Sequence, residues 1–292
     1  MNDLQTRSIL YGGGVAAVAA LVIAWSRVDS EADVMTLLSS ADVQLRMAYA
    51  IPAQDKQGKP LSARQDMITT AEEHLAIVER IQPGLAVTAE FEGFAHMLRG
   101  SYVAAASSYR RARQCADVQE EQHDILLFNE ARMLAKAGRG EEALEVFQSR
   151  GEVLDRRFGP QRALEEATIL RELGRPDRAK ARLEGARGHD AATSMTSLQA
   201  GIEYQALGDD AAAERAFTTA SLDLPIGDYH LARLKLRTGD VDSSFALLER
   251  AERAIPTEVR RLLREEQEAW SAVASDARLQ RLLVSEPAAP GR

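Results

Sequence analysis

A single cysteine, Cys115, stands in a chain of 292 residues. One thiol excludes an internal disulfide and a cysteine-built zinc site. Its flanks, Arg113, Gln114 and Ala116, read as the end of a helix. No activating partner is visible beside it, so the thiol reads as small half-buried filler. Aromatic residues are scarce, at 5%, and β-branched runs are few, so strands have little to build on. Positive charge is in deficit: 36 Lys and Arg stand against 44 Asp and Glu, for a formal net charge of -8. Such a chain lacks the basic footprint of a nucleic-acid binder.

Chemical motifs are missing too. There is no phosphate loop, dinucleotide fingerprint, nucleophile elbow or HExxH. Gly12 to Gly14 lie in an apolar run and follow no strand. The five histidines, His74, His96, His123, His189 and His230, include no pair four residues apart, the spacing of a helical metal pair. Glu120, Glu121, His123 and Asp124 gather carboxylates around a histidine, but acids in a first helical turn complement the helix dipole and need no further role. The chain is therefore expected to be no enzyme, with no catalytic residue, cofactor or metal.

What the chain does have is 45% hydrophobic residues, dominated by Ala and Leu, which favour helix. Residues Ile9 to Ser26 carry no charge. Eighteen helical residues span about 27 Å, close to the roughly 30 Å of a hydrocarbon core. Tyr11 and Trp25 sit near the ends, where aromatics favour the interface. We expect residues 1–28 to form a single-pass membrane anchor, with the N-terminus cytoplasmic and the body extracytoplasmic (periplasmic). Two other readings stay open. Ala24-Trp25-Ser26 is a passable signal cleavage site, and the run could be a buried helix, although three consecutive glycines weaken a helix in water by about 1 kcal/mol each. The pairs Gly12/Ala16, Gly13/Ala17 and Ala16/Ala20 would permit close helix pairing in a bilayer.

Beyond the anchor the sequence repeats. Gly100, Gly138, Gly174, Gly208 and Gly239 close helix-like runs, at spacings of 38, 36, 34 and 31 by subtraction of their numbers. Seven residues before each lies a small residue: Gly93, Ala131, Ala167, Gly201, Ala232. Five after lies another: Ala105, Ala143, Ala179, Ala213, Ser244. Nine after comes a large one: Tyr109, Phe147, Leu183, Phe217, Leu248. Twelve after come Ala112, Arg150, Ala186, Ala220 and Ala251, so Arg150 alone departs and predicts a looser second helix there. Small residues suit the closest approach of paired helices, and glycine suits the left-handed position that closes the first helix. The large residue is expected to fill the space between the pair and the next repeat. Pro225 and Pro256 are expected to stop the second helices.

This pattern resembles the tetratricopeptide repeat family, most fully at Gly201, Tyr204, Gly208, Ala213, Phe217, Ala220 and Pro225. The resemblance implies an all-α, right-handed solenoid of helix-turn-helix units. We expect five such repeats over 86–256 and a degenerate first repeat over 29–85. The latter has helices at Asp33–Ala50 and Leu61–Ile81, with apolar positions Ile68, Ala71, Leu75 and Val78 and a capping box at Ser62 and Gln65. Capping helices are expected over 257–284 (Thr257 to Val273, then about Asp276 to Leu283), and a disordered tail over 285–292.

The resemblance also implies that first helices line a concave groove for a protein or peptide segment. Candidate residues by helical spacing are Phe94, Met97, Ile125, Phe128, Asn129, Arg132, Met195, Leu198, Ile202, Tyr229 and Arg233. Glu90 and Glu165 on the same face oppose an anionic ligand, whereas Phe, Met and Ile suit an apolar segment. Several of these residues read equally well as core. The expected function is a membrane-tethered scaffold or adaptor for protein–protein interaction, in envelope assembly or secretion. The alternatives are a structural subunit of a larger membrane-associated complex, and an enzyme with an unrecognised site. Oligomeric state is not legible.

Overall fold

The computed structural model describes residues 31–54, 58–187 and 193–284. The apolar run 9–26 and the tail 285–292 lie outside the described residues. Among those described there are fourteen α-helices, one 3-10 helix and no strand, only an isolated bridge between Gln54 and Pro60 that closes the Pro52–Pro60 link. None of these helices is long and apolar enough to cross a membrane. The chain divides into two compact units between Ala137 and Gly138.

Unit 1 holds α1 (Glu31–Ala50), α2 (Ser62–Ile81), α3 (Ala86–Leu98), α4 (Tyr102–Gln114) and α5 (Glu120–Lys136). α1 buries Val34, Leu38, Ala41, Leu45 and Ala48, one stripe at alternating steps of four and three. The stripe meets Ile68, Ala71, Leu75 and Val78 of α2, the four positions expected from sequence, and Ala95 and Leu98 of α3. Burying each Leu or Ile contributes about 1.5–3 kcal/mol. The expected capping box at α2 does not form. Leu61 is the N-cap, without a side-chain bond, and Gln65 instead accepts from Arg99 Nη1 at 3.0 Å. A cap does appear at α3, from a distance: the Asp117 carboxylate accepts from the Ala86 amide at 3.1 Å. Glu130 of α5 is buried between Arg110 Nε (2.7 Å) and Arg113 Nη2 (3.1 Å) of α4.

Unit 2 holds α6 (Gly140–Ser149), α7 (Gly151–Glu172), α8 (Pro176–Arg187), α9 (Ser194–Ala206), α10 (Asp210–Ala220), α11 (Pro225–Arg237), α12 (Val241–Ala254), α13 (Pro256–Glu265), the 3-10 helix (Gln267–Val273) and α14 (Ala277–Val284). α7/α8, α9/α10 and α11/α12 pack as helix pairs. Together with α3/α4 in unit 1, these are helix-turn-helix pairs, each joined at a left-handed glycine.

All five repeat glycines have φ between 70° and 88°. At Gly208 the amide donates to Gln205 O and the Asp209 amide to Tyr204 O, the double bond of a Schellman cap that only a left-handed residue allows. Two expectations are corrected. Pro225 and Pro256 stop nothing: each begins the following helix, where a missing amide hydrogen costs little. The expected helix from Thr257 to Val273 breaks at Glu266 (φ -110°, ψ 37°), whose side chain is held by α11. Arg150 is non-helical, as its departure from the pattern implied, and α6 has only 10 residues.

Candidate functional site

The first helices of the repeats present the surface that could hold a partner, and each unit has its own. In unit 1, Phe94 and Met97 of α3 are half-buried against the α1–α2 core, beside Val87 and Phe91. The Phe94 ring lies 6.0 Å from the ring of Tyr49, at the end of α1, and Tyr49 is 68% exposed. On α5, Ile125 is exposed, and Asn129 and Arg132 are half-buried. Gln122 Nε2 of α5 donates to Glu90 Oε2 of α3 at 2.9 Å, so the two first helices are bonded along this face. Beneath them the Tyr109 hydroxyl is pushed up to about 12, chiefly by burial and then by Glu90, against the pull of Arg132. Glu90 and Arg132 thus set an acid and a base close to an apolar floor.

In unit 2, Met195 and Ile202 of α9 are exposed, one turn-pair apart on one face. Arg171 of α7 ties this face to α9 through Glu203 at 2.9 Å. On α11 the predicted residues are already occupied. Tyr229 has no exposed surface; its hydroxyl donates to Glu266 Oε2 at 3.0 Å and accepts from Trp270 Nε1 at 3.3 Å. Arg233 Nη1 pairs with the same Glu266 at 2.9 Å. Burial first, then Glu266, holds the Tyr229 phenol far above its usual range. His230 stacks on Phe217 at 5.2 Å and is pushed down to about 4 by burial and by Arg233.

Three predicted residues therefore serve the core and offer no surface to a partner: Phe128, Leu198 and Tyr229 are all buried. Helical spacing cannot separate a groove residue from a neighbour some 100° around the same helix. Arg233 is turned to the C-terminal segment. Phe94, Met97, Ile125, Asn129 and Arg132 lie on the first helices of unit 1, and Met195 and Ile202 on α9 of unit 2. Tyr49, exposed beside Phe94, is not among the residues that helical spacing selects, because α1 shares none of the repeat glycines that set the register.

Among the described residues no group of three or more His, Cys, Asp or Glu could hold a metal ion. Cys115 Sγ donates to Arg111 O at 3.3 Å, and burial, then Asp117, pushes the thiol up, away from the reactive thiolate. His123 Nδ1 lies 4.0 Å from Asp124 Oδ1 at the start of α5, where Glu120 and Glu121 occupy the first turn.

No family model matches the chain, and no curated protein matches it. Among solved structures, PilF of Pseudomonas aeruginosa is similar, at 14% sequence identity and a TM-score of 0.49, over 78% of this chain and 98% of that one.

Proposed function

We propose that the chain is a membrane-tethered adaptor that holds an apolar segment of another protein on the inner face of unit 1. The observation that carries this is exposed Tyr49 with its ring 6.0 Å from half-buried Phe94, half-buried Met97 on the same helix as Phe94, and exposed Ile125 on α5, which Gln122 bonds to Glu90 of α3. Aromatic side chains with a polar tip are favoured at interfaces because they bury a large area at small entropic cost. Glu90 and Arg132 at the margin suit a segment with both charges beside its apolar anchor, and Glu90 disfavours a purely acidic ligand. Residues 9–26 supply the tether in this reading and place the repeats on the extracytoplasmic side, the setting of envelope assembly and secretion. No residue is assigned a catalytic role.

Site-specific photocrosslinking tests it. A photoreactive residue at Tyr49 or Ile125 is expected to trap a protein partner, and one at Val103 or Leu222, also exposed, is not. Phe94→Ser should abolish trapping at Tyr49 while the helical circular dichroism is kept. Equal trapping at all four positions, or none at Tyr49 and Ile125, sinks the assignment.

A further inference from the structure

One titratable side chain is sealed into the core of unit 1. His74 stands in α2 between Ala71 and Val78, both fully buried, and is itself 3% exposed. At about 100° per residue it lies about 60° round the helix from Ala71, 40° from Val78 and 20° from Met67. All three belong to, or pack against, the cluster that joins α1, α2 and α3. Neither Nδ1 nor Nε2 of His74 has a hydrogen-bond partner among the described residues. A neutral imidazole carries one donor and one acceptor, and its cation carries two donors. Charging His74 therefore sets two unpaired donors and a full charge among apolar side chains, which is by far the costlier state.

No counter-charge relieves it. α2 packs on α1 and on α3. On α1, Asp42 pairs with Arg46 at 2.7 Å. On α3, Glu90 accepts from Gln122 at 2.9 Å and Glu92 pairs with Arg111. On α2 itself, Glu72 is taken by Arg99 at 2.7 Å. Among the described residues Glu73 is the one group whose charge is felt at His74, and it raises the pKa by less than burial lowers it. Unit 2 has a counterpart: His230 Nδ1 is also buried without a partner, but its ring is stacked on Phe217 and repelled by Arg233.

We propose that His74 is an acid-sensitive seam of unit 1: protonating it favours an opened state in which α1 and α3 draw back from α2 and water reaches the ring, while unit 2 stays closed. The seam bears on the partner face, because Tyr49 ends α1 while Phe94 and Met97 of α3 rest on the same cluster. Its opening does not depend on that face having a partner. The direction follows from linkage. Once hydrated, His74 titrates near its ordinary value of about 6.5; in the closed cluster it titrates lower. The closed state is fully favoured above about pH 6.5 and is weakened as pH falls towards the lower value. Opening gains at most about tenfold per pH unit, hence up to about 30-fold between pH 6.5 and 5.0.

Amide hydrogen exchange on the full chain in detergent micelles, resolved by helix and corrected for the intrinsic effect of pH, tests it. Protection of α1, α2 and α3 should fall by about 3- to 30-fold between pH 7.5 and 5.0. His74→Phe and His74→Leu, each with its helical circular dichroism kept at pH 7.5, should remove most of that fall. Both are made because the two side chains fill the space of the ring differently. Their effect should be confined to unit 1, and His230→Phe should leave the fall in α1, α2 and α3 as it was. No fall in the unaltered chain, or a fall that persists in both His74 variants, overturns the seam. An equal effect of the His74 variants on α9 to α12 also overturns it, since the opening would then involve the whole molecule.

Discussion

Gly201 shows how one side chain can be forbidden by its neighbour. A Cβ placed there would come 2.5 Å from the Phe217 ring. Glycine inside a helix costs about 1 kcal/mol relative to alanine, so Gly201→Ala carries a helical gain and a steric loss. The loss wins, because the ring is fully buried and has no room to move. We expect Gly201→Ala to destabilise by about 1–3 kcal/mol, with partial recovery when Phe217→Leu is added. Gly185, with nothing within 4 Å of a built Cβ, is the control: Gly185→Ala should stabilise by about 0.5–1 kcal/mol. Urea denaturation of the three variants beside the unaltered chain settles the order. His230 gives the pH prediction. Its pKa falls to about 4 in the folded chain from an ordinary 6.5. Between those values the unfolded chain binds more protons, so stability is full above about pH 6.5 and is lost as pH falls towards 4. The stake is on the order of 3 kcal/mol. Buried His74, lowered first by desolvation, contributes with the same sign. His230→Phe keeps the stack on Phe217 and should flatten most of the difference in urea midpoint between pH 7.5 and pH 5. An unchanged slope would show that the ring is solvated.

Helices and their joints carry the next level of specification. α7 is bent at Phe158 (φ -129°, ψ 21°), two residues before Pro160. Proline deprives the helix of one amide and crowds the preceding turn, but proline alone does not set the direction of a bend. A buried charge network does. Arg162 Nε donates to Glu166 Oε1 at 2.7 Å, and its Nη1 reaches Gly151 O at 2.5 Å and Asp155 at 3.0 Å, on the other side of the kink. Arg182 of α8 bonds to both Glu166 and Asp155. Arg162→Met leaves Glu166 and Asp155 to Arg182 and takes the donor from the Gly151 carbonyl, so it should destabilise by about 1–3 kcal/mol. Glu142→Ala, which breaks the exposed Arg139–Glu142 pair, should change stability by less than about 1 kcal/mol. Equal losses in chemical denaturation would refute the network's role. Sequence signalled half of this joint. Arg150 broke the small-residue pattern and marked a disturbed helix, while the four-residue network spans 28 positions, from 155 to 182, and leaves no periodic trace. The Ser62/Gln65 box failed for a related reason: Arg99, 34 residues away, claims the Gln65 amide oxygen.

For the whole molecule, the tether makes a prediction independent of any partner. The full chain is expected to stay with membranes after alkaline carbonate, and Val18→Asp with Leu21→Asp should release it, since each acid near a bilayer centre costs about 2.5–3.5 kcal/mol. Protease added to intact cells with a permeabilised outer layer should digest the repeats. Protection until the cytoplasm is opened would reverse the assigned orientation. By itself the sequence determined the helical class, the register of the repeats, the left-handed glycines and the small residues between paired helices. All of these are local or periodic: a residue's conformation, or its spacing along one helix or one repeat, is enough to fix them. Only the tertiary structure decided which apolar residues of the first helices are surface and which are core. It placed Phe128, Leu198 and Tyr229 in the core, left Tyr49 exposed, and bound Arg233 to Glu266. Those outcomes depend on which distant segment lies across a helix face, and no spacing within the face records that.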